Sequence, residues 1–191
     1  MRGAKGYTLI ELLVVTVLAS LLATMALPGL REMVVRQQAR ADSALLYDML
    51  MMMRLHALFH AVPVTLCPSA DQQQCDAAWT QSGLLLFADA DEDGRVGAGD
   101  VRLAWHPPAH EGARWLWRSF RNKPYVQMDR RGATNNLNGT LTYCAPAGRL
   151  DLARRLVLNK AGRVRVLTAT EFMAAERDEV RALCRVGYSA R

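Results

Sequence analysis

The chain has 191 residues, 51% apolar and 22% charged, which allows a packed core and excludes wholesale disorder. That length holds one ordinary domain with an appendage, and not two large domains. The formal net charge of +6 is unevenly spread: residues 67–110 hold two basic and seven acidic groups, whereas residues 148–191 hold ten and five. This asymmetry points to an anionic partner for the C-terminal half without identifying it.

The N-terminal element comes first. Residues 7–30 read YTLIELLVVTVLASLLATMALPGL, an apolar run that a single charge, Glu11, interrupts. At ~1.5 Å per residue, such a helix covers a bilayer core of ~30 Å. A secretory signal peptide has an apolar core of only ~7–15 residues and a small-residue cleavage site after it. Here the run is longer and no Ala-x-Ala closes it. Arg2 and Lys5 precede it, so the N-terminus is expected to stay cytoplasmic and the rest to be exported. Gly6 ends this short basic leader, residues 1–6. Within hydrocarbon an unpaired Glu11 carboxylate would cost at least ~2.5–3.5 kcal/mol. A free α-amino group on a neighbouring chain, made by cutting after Gly6, would be a suitable partner.

Gly6-Tyr7-Thr8-Leu9-Ile10-Glu11 resembles the processing signal of type IV pilins and type II secretion pseudopilins. The resemblance implies that a prepilin peptidase cuts after Gly6 and methylates Tyr7, where the family usually has Phe. It implies that Glu11 sets register in a filament whose core is the apolar segment. Pro28 falls where pilin helices commonly bend, and a proline there removes one backbone bond.

Further along, Leu46, Met49, Leu50, Met53 and Ala57 follow helical spacing on one apolar face, and Pro63 limits the helix. Residues 31–62 are therefore expected to be an amphipathic continuation that packs on a sheet. From Val64 short apolar runs alternate with turn residues. The predicted strands are 64–67, 83–88, 101–105, 115–120, 125–128, 139–143, 156–159 and 164–167. Turn signals lie at Asp93-Gly94, Pro107-Pro108, Asn138-Gly139 and Ala161-Gly162. A last helix is expected over 171–183 with Thr170 as N-cap. The fold class is α+β: a long N-terminal transmembrane helix packed on an antiparallel β domain (63–169), then a C-terminal helix and tail (170–191). The segments around Cys67, Cys75, Trp79, the 83–93 strand and acidic turn, Asn138-Gly139-Thr140, Cys144 and Gly162-Arg163-Val164-Arg165 resemble the FimT/FimU/GspH group of minor pilins. With the N-terminal signal, that resemblance spans residues 6–167.

Four cysteines, Cys67, Cys75, Cys144 and Cys184, in an exported domain favour disulfides and allow three pairings. Cys67–Cys75 would close a short loop, and Cys144–Cys184 would tie the tail to the sheet. Cys184 shares a helical face with Met173 and Val180, which would turn it inward. Their scattered spacing argues against a zinc site. Asp89-x-Asp91-x-Asp93-Gly94-x5-Asp100 matches calcium-loop spacing, with Asp in place of the final Glu. The flanking helices are missing, and a solvated hairpin tip fits the same residues. Calcium is the one cofactor the sequence suggests. His56 and His60, beside Met51–Met53, have metal-binding spacing, but methionines at this spacing usually fill a core. Asn138-Gly139-Thr140 is a glycosylation sequon and equally a hairpin turn, the favoured reading. No catalytic constellation is present, so an enzyme is not expected.

The basic C-terminal half carries the last candidates. Arg163 and Arg165 alternate in a strand and should share a face, after a tight turn at Gly162. Arg154, Arg155 and Lys160 lie upstream, and Arg177, Arg181 and Arg185 recur every four residues. Guanidinium rows suit phosphates. Gly-Arg-x-Arg is also the motif that FimT-type pilins use for DNA uptake, so the resemblance implies DNA binding and a competence role. Acidic residues intersperse the last helix, and a solvated face or inter-subunit contacts would use the same charges. The expected protein is a minor pilin or pseudopilin at or near the tip of a type IV pilus or pseudopilus. The alternative is a type II secretion pseudopilin without DNA binding. Its partners would be other pilins, the prepilin peptidase, the bacterial inner membrane and DNA, with the β domain in the periplasm.

Overall fold

The computed structural model describes residues 8–185 apart from 77, 81 and 135. The first element is α1, Leu9–His60. Its apolar half has no buried residue and is long and apolar enough to cross a membrane. The hydroxyls in that half bond within the helix: Thr16 donates to the Leu13 carbonyl, Ser20 to Val17 and Thr24 to Leu21, at 2.8–2.9 Å. None of them needs an outside partner, which suits a segment with no water around it. The helix ends where Ala61 takes φ +50°, a left-handed stop, two residues before Pro63.

The chain divides into two units, residues 1–38 and 39–191. In the second, Ala39, Leu46, Met49, Leu50, Met53 and Ala57 form a buried stripe on α1, each at most 2% exposed. The strands are β1 (Val64–Ser69), β2 (Gly83–Ala88), β3 (Val101–His106), β4 (Arg114–Ser119), β5 (Val126–Met128), β6 (Gly139–Cys144), β7 (Arg154–Leu158) and β8 (Val164–Thr168). They form two antiparallel sheets, ordered β3-β2-β1-β5 and β4-β6-β7-β8. The final helix is α2, Ala174–Cys184.

Both faces of the inner strands are covered, and this explains their sequences. In the first sheet Val64, Leu66, Leu86, Val126 and Met128 are fully buried on one side. Cys67, Leu85 and Phe87 pack on the other with Tyr125 and Leu137 from the loops. A strand buried on both faces reads as an unbroken apolar run, as Leu84-Leu85-Leu86-Phe87 does. In the second sheet, α2 closes one face through Cys144, Ala153, Leu167, Phe172, Val180 and Cys184. Asp42 of α1 ties that helix down: it accepts hydrogen bonds from the Tyr143 hydroxyl at 3.1 Å and the His110 N–H at 3.3 Å, and lies 2.7 Å from His110 Nδ1. Burial, and then the Asp42 charge, push the Tyr143 phenol well above its ordinary pKa.

Two expectations are corrected here. The last helix starts at Ala174, not at 171, and Thr170 is not its N-cap. Glu171 is held in a turn instead, its carboxylate accepting the Thr168 N–H at 2.7 Å and the Thr168 hydroxyl at 2.6 Å. Met173 occupies the N-cap position, its N–H donating to Glu176 at 3.1 Å, and its side chain is exposed rather than inward. Asn138-Gly139 makes no two-residue hairpin. It leads from β5 in one sheet to β6 in the other, and the Asn138 carbonyl pairs with the Phe120 N–H across the end of the β4–β6 ladder. Asn138, Gly139 and Thr140 are all half-buried, with Asn138 Oδ1 itself buried.

Candidate functional site

Processing and assembly residues come first. Gly6 and Tyr7 lie outside the described residues. Thr8 starts the helix: its hydroxyl accepts the Glu11 N–H at 3.3 Å, a Ser/Thr-x-x-Glu start. Glu11 stands in the first turn, at the positive end of the helix dipole. Leu9, Ile10, Leu12 and Leu13 around it are 55–82% exposed, so the carboxylate sits on an exposed apolar surface.

The cysteines form two disulfides. Cys67 on β1 bonds Cys75, and Cys144 at the end of β6 bonds Cys184 on α2. All four sulfurs are thereby used, which leaves no zinc ligand among them. Arg114 adds a second clamp on α2, donating to the Arg185 carbonyl at 2.9 Å, beyond the helix end.

The β2–β3 loop gathers Asp89, Asp91 and Asp93, with carboxylate oxygens within 4.8 Å of one another. Asp89 is fully buried; the other two are exposed. Burial raises the Asp89 pKa, against hydrogen bonds that lower it. Gly94 turns the loop at φ +75°, and a Cβ there would lie 2.2 Å from the Tyr125 ring. Asp100, expected as a fourth ligand, is not in this cluster. Its two oxygens accept the Ala90 N–H at 3.0 Å and the Gly97 N–H at 2.7 Å, bracing the loop instead. His56 and His60 stack at 4.2 Å, and burial and then the His60 charge lower the His56 pKa. Among the described residues they gather no third ligand.

The arginines separate sharply. Arg155 lies on β7 under α2, 7% exposed, 3.1 Å from Glu179 and 3.7 Å from Glu176. It holds α2 to the sheet and so leaves the candidate phosphate-binding set. Arg154 is half-buried and donates to the Ala153 carbonyl at 2.8 Å; burial and then Arg40 lower its pKa. Its guanidinium is turned to backbone. Arg181 pairs with Asp178 at 3.2 Å on the surface, and Arg118 pairs with Glu179. Lys160, Arg163 and Arg165 remain exposed at the β7–β8 hairpin, with no ion-pair partner within 4 Å among the described residues. That hairpin is closed by Asn159 N–H to the Arg163 carbonyl at 3.1 Å, and Gly162 turns it at φ +70°. A Cβ on Gly162 would lie 1.8 Å from the Gly132 carbonyl oxygen, so the position requires glycine. Arg165 faces Val157 across the ladder and Leu167 faces Arg155. The exposed cation thus continues, on the same face, a row whose inner end is buried under α2.

The sequence reading missed Asp42 and His110. A buried aspartate on a helix face and a histidine in a loop 68 residues away carry no local signal of contact.

A family model described as type II transport protein GspH matches residues 42–162. A model of the prokaryotic N-terminal methylation motif matches residues 1–27. The fold is similar to the crystal structure of the type IV minor pilin FimU of Pseudomonas aeruginosa. That likeness has a TM-score of 0.54 and 16% identity, over 73% of this chain and 95% of that one. It is also similar to the minor pseudopilin EpsH from the type 2 secretion system of Vibrio cholerae, with a TM-score of 0.50 and 14% identity, over 69% and 97% of the two chains. No curated protein sequence matches the chain.

Proposed function

The chain belongs to the GspH family of minor pilins and pseudopilins, and we propose that it is a minor subunit at or near the tip of a type IV pilus, where Lys160, Arg163 and Arg165 contact DNA phosphates. The filament role rests on one observation: a carboxylate, Glu11, set in an apolar helix surface that stays exposed among the described residues. Arg2 and Lys5 would keep the N-terminus cytoplasmic and place residues 39–191 in the periplasm. Cutting after Gly6 would free an ammonium group that can pair with Glu11 of the next subunit, removing the cost of a lone charge in hydrocarbon. The chain would then act by assembly, without catalysis.

The DNA contact is supported by the three exposed cations on one hairpin. Each guanidinium fork can bind two phosphate oxygens without reading sequence. Duplex binding by the full chain in detergent, followed by anisotropy across a salt series, tests it. Three neutralised phosphates give a slope of log affinity on log salt near −3. Replacing Arg163→Ala and Arg165→Ala together should flatten it by about two. Absence of salt-sensitive binding at low ionic strength would remove the DNA contact. A second reading would then stand, supported by the matched family's description: a type II secretion pseudopilin whose domain touches other pseudopilins or exported protein.

A further inference from the structure

The acidic loop was set apart by its sequence, and the pilin role leaves it unused. Its three carboxylates are not spread over a solvated tip. Asp89 forms the floor of the cluster, fully buried, and Asp91 and Asp93 close over it from the solvent side. The floor residue is held from below. The Thr65 hydroxyl on β1 donates to Asp89 Oδ2 at 2.6 Å, the Gln127 amide on β5 at 2.9 Å, and the Gly94 N–H at 3.0 Å. All three donors go to the same oxygen. Asp89 Oδ1 is buried and has no hydrogen-bond partner among the described residues. A buried carboxylate oxygen left without a donor is rare and costly, and a cation is one of the few groups that satisfies it.

We propose that this loop binds a calcium ion through Asp89 Oδ1 and the carboxylates of Asp91 and Asp93. Every ligand is a hard oxygen, as calcium prefers. The loop turns at Gly94, as a calcium loop of this spacing requires. Asp91 and Asp93 each use one oxygen to accept a loop N–H, from Asp93 at 3.4 Å and from Arg95 at 2.7 Å. Each therefore keeps its other oxygen for a metal. Arg95 is the one cation within residues 89–100, and it is exposed. Calcium would remove the mutual repulsion of the three carboxylates. It would also staple the loop to the first sheet, because Asp89 is already bonded to β1 and β5. Three protein carboxylates without the bidentate Glu of tighter loops place the site in the weak class, with a dissociation constant of ~0.1–1 mM.

The test is calorimetric titration of the chelator-treated full chain in detergent with CaCl2, alongside thermal melts at constant ionic strength. At 5 mM CaCl2 the melting temperature should rise by about 3–7 °C. Magnesium, which demands tighter octahedral geometry, should give a much smaller rise. Asp91→Asn combined with Asp93→Asn keeps both loop N–H acceptors. It should abolish the calcium response and leave the calcium-free melting temperature unchanged or higher. The proposal is overturned if calcium gives no heat and no shift, if magnesium matches it, or if the double variant still responds.

Discussion

One helix, α1, is built in two ways. Over residues 9–30 it is apolar on every side apart from Glu11, and its described residues are exposed: Leu18 is 55% exposed. Over residues 39–57 its main apolar stripe is sealed, with Leu50 0% exposed, and only Met52 and Leu55 stay exposed among its large apolar side chains. Packing against sheets makes the second part. The first needs lipid or a neighbouring subunit, because isolated apolar surface of that extent is not left in water. A helix that is apolar on every side and one that is apolar on one side are therefore instructions for two environments.

The contrast predicts opposite responses to the same substitution. Leu50→Ala should destabilise the β domain by about 2–5 kcal/mol, through lost burial and a residual cavity. Leu18→Ala should leave its melting unchanged, because Leu18 belongs to the other unit, residues 1–38, and is exposed there. Denaturant melts followed by near-UV signal from the buried Trp115 report this directly. Equal losses from both substitutions would erase the distinction.

The two disulfides sharpen it within the domain. Cys144–Cys184 spans 40 residues and Cys67–Cys75 spans eight. Chain entropy alone assigns them roughly 4 and 2.5 kcal/mol. Serine replacement of the longer one should therefore cost more. Its loss should also free α2 to proteolysis while the first sheet stays protected.

Most strands and both parts of α1 were legible because their apolar spacing records which faces are covered. The division into two sheets was not, since β4 pairs with β6 and β1 with β5 across intervening segments. Local sequence does not record such pairings. The candidate arginines show the same limit more sharply. Arg155 and Arg163 sit eight residues apart in equally basic surroundings, yet only the first lies beneath Glu176 and Glu179 of α2. Asp100 likewise has the spacing of a ligand, and its fate was decided by two N–H groups of its own loop.

That divergence gives a smaller prediction. Arg155→Ala should cost about 1–3 kcal/mol, because it uncovers carboxylates packed over the sheet and leaves a gap beneath α2. Arg163→Ala should stay within about 0.5 kcal/mol, as solvated surface changes do. Thermal melts of the two single variants compare them.

Glu11→Ala should leave the domain's melting temperature unaltered and reduce recovery of the chain in filaments, since Glu11 belongs to residues 1–38 and not to the folded domain. Folding and assembly are separated most directly by intact-mass and N-terminal analysis of this chain recovered from sheared filaments. The account predicts that the chain is present there and begins at an N-methylated Tyr7. Recovery with Met1 still attached, or only from the membrane fraction, would contradict it.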